Sequence, residues 1–68
     1  MYHYYVNKNT QANGDHEVHK EGCSYLPELV NRIDLGNYYS YDAAVIEARK
    51  YYYNANGCYY CCKECHTN

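Results

Sequence analysis

Two short stretches of this chain carry the residue types that bind transition metals. The first is His19-Lys-Glu-Gly-Cys23, an H-x3-C pair; the second is Gly57-Cys58-Tyr-Tyr-Cys61-Cys62-Lys-Glu-Cys65-His66, which holds two successive C-x2-C pairs. A tetrahedral zinc ion takes two ligand pairs from separate parts of a chain, each on a tight turn that lets both side chains reach one ion at about 2.0–2.3 Å. His19 and Cys23, with Cys58 and Cys61, are therefore the candidate metal ligands. Gly57 favours Cys58 with Cys61, because it can reverse the chain just ahead of them. Cys62 with Cys65 is the competing second pair, and Cys61 with Cys65 is a mixed choice. His16 is the alternative to His19. Otherwise His3 and His16 read as solvated strand residues, and His66 as a cap or a neighbour of the site.

A staple of this kind answers a shortage in the composition. Sixty-eight residues make a single domain, 1–68, and a chain this short buries only roughly 60% of the surface its unfolded form exposes. Twelve tyrosines are its only large aromatics, with no Phe, no Trp and one Met. Each tyrosine hydroxyl needs a partner or water when buried, so the expected core is thin and many rings are half exposed. Small domains so placed use disulfides or a metal. Five cysteines cannot all pair. The first residues, MYHYYVNKN, lack the basic-then-apolar pattern of a secretory signal, and no stretch approaches the roughly 20 apolar residues that span a bilayer. The expectation is a cytoplasmic protein, where thiols stay reduced and Cys-rich turns read as metal sites.

The elements that must position these residues follow from local pattern. Residues 2–6 (YHYYV) read as a strand, 7–14 as the turn-rich connection of a wide hairpin ending in Asn-Gly, and 15–20 as the returning strand. On that strand His16 and Val18 share one face, and Glu17 and His19 the other. Residues 24–31 contain the sole proline and read as irregular or a single helical turn. Residues 32–39 read as a third strand, broken or bulged at Gly36. Ser40 is a helix N-cap, with Asp42 in the first turn. The helix extends over about 41–53, with Ala44, Val45, Ala48, Tyr51 and Tyr52 on one side and Glu47, Arg49 and Lys50 on the other. Asn54 to Gly57 ends it. The expected fold is α+β: a small three-stranded antiparallel sheet packed on one helix, with a Cys-rich metal-binding C-terminal tail.

An aromatic-Ser pair before an alanine-bearing helix, then Gly and C-x2-C, with H-x3-C upstream, resembles the Ada-like zinc-binding modules. The residues that carry the resemblance are His19 and Cys23, Gly36 with Tyr39-Ser40, Ala44 and Ala48, then Gly57, Cys58 and Cys61. The chain also looks like short bacterial proteins of unknown function over nearly its full length. The resemblance implies a zinc ion on the two pairs. His19 stands where the repair module has a cysteine that belongs to its thiolate chemistry, so the resemblance does not extend to methyl-acceptor activity. The stretch from the helix to the C-x2-C is also longer here.

Other readings of the same residues compete. Cys62-Lys-Glu-Cys65-His66 matches the c-type haem attachment string, but the chemistry that attaches haem lies outside the cytoplasm. C-x2-C pairs are redox-active when a helix N-terminus lowers a thiol pKa, whereas these pairs follow the C-terminal end of the helix. The vicinal Cys61-Cys62 and a spare fifth thiol would suit a redox-sensing zinc site that releases its metal on oxidation. Tyr2, Tyr4, Tyr38, Tyr39, Tyr59 and Tyr60 could stack single-stranded bases, but a net charge of −2 provides no basic groove for nucleic acid. Glu17 and Glu21 flank His19 as general-base candidates for an open zinc site. With more thiols and imidazoles than four positions need, a closed site is expected, and no enzyme. The expected protein is a structural zinc-binding accessory or interaction module, a monomer, with a tyrosine-rich surface for a protein partner and no membrane contact.

Overall fold

In the computed structural model, which describes residues 1–61, chain order is β1 (Tyr2–Asn7), β2 (His16–Lys20), a 3-10 turn (Leu29–Asn31), β3 (Arg32–Tyr38), α1 (Tyr41–Ala48) and β4 (Ala55–Gly57). The four strands form one sheet in the order β3-β1-β2-β4. The α+β class matches expectation, with one α-helix among the described residues; the sheet corrects it. Strand β4 lies in the segment read from sequence as the end of the helix, and it pairs parallel to β2, so the sheet is mixed rather than three-stranded and antiparallel. Parallel neighbours need a long crossover, and here residues 21–54, carrying β3 and α1, supply it.

The antiparallel pairs are set by alternation. Tyr4 and Val6 of β1 point to one face with Val18 of β2, opposite which Val6 pairs directly. Leu35, Tyr41, Ala44, Val45, Ala48 and Ala55 complete the core on that face. Burying Val6 and Val18, both at 0% exposure, contributes about 1.5–3 kcal/mol each. Strand β3 carries the expected irregularity: Tyr4 faces Gly36 and Tyr5 faces Asp34, leaving Leu35 as the extra residue of a bulge. Gly36 sits at φ 98°, where a side chain is strained.

Ser40 caps α1, its hydroxyl accepting from the Ala43 N–H at 3.1 Å. The helix ends at Ala48, well short of residue 53. Its last turn tightens, with the Tyr51 N–H donating to the Ala48 carbonyl, and the chain then turns into β4. Tyr51 is consequently exposed rather than packed, while Tyr52 remains against the core. Ala44 and Ala48 have no side chain beyond Cβ and are fully buried, which lets α1 lie close on the sheet.

The tyrosines divide between core and surface. Tyr4 is a core residue and meets Tyr41 edge-on at 5.1 Å, and Tyr38 packs against the core. Neither is free to stack a base, whereas Tyr2, Tyr39, Tyr59 and Tyr60 are exposed. Among the described residues no helix is long and apolar enough to cross a membrane.

Candidate metal centre

The pleat of β2 places Glu17 and His19 opposite the face of Val18, away from α1. His19 nonetheless is only 1% exposed, because the two Cys-bearing turns close over it. Beyond His19 the chain reverses at Glu21-Gly22, where the Cys23 N–H donates to the Lys20 carbonyl at 3.1 Å and Gly22 adopts φ 85°. That left-handed glycine brings Cys23 back over His19. The second pair arrives along β4. The Cys58 N–H donates to the Val18 carbonyl at 3.0 Å, so Cys58 extends the β2–β4 ladder and is fixed beside the strand that carries His19.

Tyr41 locks this junction. Its hydroxyl donates to the Val18 carbonyl and also accepts from the Cys58 N–H. A ring from the helix thus ties the metal-facing end of β2 to the start of the C-x2-C turn. Nothing in the sequence singled out Tyr41 for this role.

The donor atoms of His19, Cys23, Cys58 and Cys61 all lie within 4.8 Å of one another. His19 Nδ1 is 3.6 Å from the Cys23 sulfur and 3.7 Å from the Cys61 sulfur. A tetrahedral ion with metal–nitrogen bonds of about 2.0–2.1 Å and metal–sulfur bonds of about 2.3 Å places N and S about 3.6 Å apart. The imidazole therefore already stands at ligand spacing from both sulfurs. His19 Nε2 is buried without a hydrogen-bond partner, and the Glu17 carboxylate lies 3.6 Å from it.

The protonation states suit a cation. Burial pushes His19 down to about 4, so its imidazole is neutral and one of its ring nitrogens offers a lone pair to a cation. Burial raises the Cys58 thiol, while the backbone N–H groups of Tyr60 and Cys61 act against that and Glu17 adds to it. A thiolate there needs a positive partner, which a divalent ion provides.

Cys23 and Cys61 are joined as a disulfide, and Cys58 is a free buried thiol. A disulfide sulfur has given up the thiolate charge that binds metal, so the oxidised pair cannot at the same time serve with His19 and Cys58 as a four-ligand set. Persistent disulfides are rare in the reducing compartment that the sequence reading expects, and this pair forms one.

Of the other candidates, His16 is not a solvated strand residue. It is 9% exposed, stacks on Tyr52 at 3.7 Å and bonds the Asn7 carbonyl through Nδ1 at 2.9 Å. That position holds it on the core face, apart from the thiols. His3 lies on the opposite sheet face and is held by Asn37 and Asp34. Glu21, paired with Glu17 in the sequence reading, turns elsewhere and accepts the His3 backbone N–H at 2.7 Å. Cys62, Cys65 and His66, with the competing ligand pair and the haem string, lie outside the described residues.

No protein-family model matches the chain, and neither does any curated protein or solved structure.

Proposed function

We propose that the chain is a small structural metal-binding module in which one zinc ion, held by His19, Cys23, Cys58 and Cys61, clamps the end of β2 to the tail that follows β4. The observation that carries this reading is the convergence of four donors from two segments far apart in sequence to within 4.8 Å. One imidazole and three thiolates are a soft, tetrahedral set that suits zinc over magnesium or calcium. With four protein ligands the site is closed and its contribution is to folding. The module is then an accessory or interaction domain of cytoplasmic type, with the exposed rings of Tyr25, Tyr59 and Tyr60 beside the clamp as the surface for a protein partner. The resemblance to Ada-like zinc modules agrees with this reading and adds no activity to it.

Metal content of the purified, reduced chain tests the proposal. One zinc per chain is expected. Cobalt substitution should give the intense visible bands of tetrahedral thiolate coordination. His19→Ala and Cys58→Ser should each abolish both signals, and the double variant Cys62→Ser/Cys65→Ser should keep them. Binding that survives Cys58→Ser but fails in the Cys62/Cys65 variant moves the second pair to the tail. A reduced chain with no metal rejects the proposal.

A further inference from the structure

The four donors do not meet water equally. His19 and Cys58 are buried at 1% and 0% exposure, whereas Cys23 and Cys61 are half-buried. These two cysteines form part of the wall of a solvent-open cavity of about 260 Å³, with Lys20, Glu21, Tyr25 and Tyr60 around them. Tyr25 and Tyr60, both in its wall, stack on each other at 4.1 Å and so join the two Cys-bearing turns. Cys23 and Cys61 line this cavity and Cys58 does not, so a small reagent in it meets the first two cysteines and not the third.

The same two residues are the ones whose backbones suit a bond between them. Their Cα atoms are 5.7 Å apart, within the usual spacing of about 5.5–6 Å for a disulfide. As metal ligands their sulfurs would stand about 3.8 Å apart on an edge of the tetrahedron. Joining them closes that gap to about 2.05 Å, a movement that side-chain rotation supplies while the turns stay in place. Cys58 is fully buried and remains a free thiol beside that pair.

We propose that Cys23 and Cys61 are a redox-modification site built into the metal centre: a hydroperoxide admitted by the cavity oxidises them to the disulfide and so releases the ion. The inference rests on the zinc reading above and adds which sulfurs react and with what. In the first step the thiolate of Cys23 or Cys61 attacks a peroxide oxygen. The O–O bond breaks, hydroxide or alkoxide leaves, and a sulfenic acid forms. The other thiolate then attacks the sulfenic sulfur, the S–S bond forms and hydroxide leaves. Two electrons pass from the two sulfurs to the peroxide. With the Cys23 and Cys61 thiolates consumed, only the Cys58 thiolate and the His19 imidazole would remain to hold an ion, too few to keep it. The disulfide then spans a sequence separation of 38 between the segments the ion had joined, so one staple replaces the other and the fold persists.

The experiment starts from the zinc-loaded full chain, its metal content measured first. Excess hydrogen peroxide is added while a chromogenic chelator reports free zinc. Free thiols are counted, the linked peptides are identified by mass spectrometry, and the near-ultraviolet circular dichroism is followed. One zinc released per two thiols lost is expected, with Cys23 linked to Cys61, the tyrosine dichroism retained, and zinc binding restored by dithiothreitol with added zinc. The double variant Cys62→Ser/Cys65→Ser should behave in the same way. Retention of zinc under peroxide, release with Cys58 or Cys62 in the new disulfide, or unfolding on release overturns the proposal. A reduced chain without metal before peroxide is added overturns the zinc reading and this one together, and is told apart by that first measurement.

Discussion

At the scale of single residues the centre depends on which ring nitrogen of His19 carries the proton. Nδ1 faces the thiols, so binding an ion through it puts the hydrogen on Nε2, beside the Glu17 carboxylate at 3.6 Å. A carboxylate there favours that tautomer and raises the basicity of the ligand nitrogen. Glu17→Gln should therefore weaken zinc by at least about 10-fold in a competition titration against a chelator, within the about 10–100-fold range seen for such partners. Unchanged affinity would reduce Glu17 to a bystander. Acid acts on the same imidazole. Unfolded histidine titrates near 6.5, while burial pushes His19 down to about 4, and a bound ion favours the neutral ring further. The unfolded state binds the proton first, so the stability contributed by His19 is complete above about pH 6.5 and declines as pH falls toward 4. In the metal-free, oxidised chain, denaturant midpoints measured across that window should fall with acid, and the slope should flatten in the oxidised His19→Ala variant.

Elements set the distance between the two ligand pairs, and Tyr41 at the start of α1 is the joint between them. Tyr41→Phe retains the ring against Tyr4 but removes the hydroxyl that bridges the Val18 carbonyl and the Cys58 N–H. Those two backbone groups still bond each other at 3.0 Å, so the expected loss is the net value of one hydrogen bond, about 0.5–1.5 kcal/mol, read from urea unfolding of the zinc-loaded chain. A loss above about 3 kcal/mol would mean that Tyr41 supports more than this bridge. Local pattern made much of this architecture legible. The first three strands, the sharing of one face by His16 and Val18, the Ser40 cap and the Gly36 bulge are all consequences of neighbouring residues, whereas Tyr4, read from sequence as exposed, is a core residue. Strand β4 was not legible, because Asn54 to Gly57 has turn composition and becomes a strand only through the free edge of β2, brought to it by a long crossover. The early end of α1 has the same origin: Arg49 reaches the Ala55 carbonyl through Nε at 3.2 Å, a contact that requires the chain to have turned. Donor types and spacing exposed the four candidate ligands. The bridge from Tyr41, the unequal exposure of the sulfurs and the proximity of Cys23 to Cys61 depend on tertiary placement that spacing does not encode.

For the molecule as a whole, the question is whether so small a core can hold the sheet without a link at the metal centre. The fully buried side chains are few, with Val6, Val18, Cys58 and His19 the largest of them, and two of these four belong to the candidate centre. Structural zinc contributes about 10–16 kcal/mol in small peptide domains, as much as the about 5–15 kcal/mol that separates most folded domains from their unfolded chains. A disulfide closing the same loop contributes about 4 kcal/mol by restricting the unfolded chain. Three states of the protein should therefore rank in one order: zinc-loaded and reduced most stable, metal-free and oxidised next, metal-free and reduced unfolded. Chelator with excess reductant should collapse both the tyrosine dichroism and the amide dispersion, while chelator applied to the oxidised chain should leave them in place. The order is informative because each state changes only the link between β2 and the tail, leaving the core of Tyr4, Leu35, Ala44 and Val45 untouched. If the reduced, chelated chain kept its spectrum and its melting temperature, the apolar face beneath α1 would be sufficient by itself, and the Cys/His cluster would have to be explained by something other than folding.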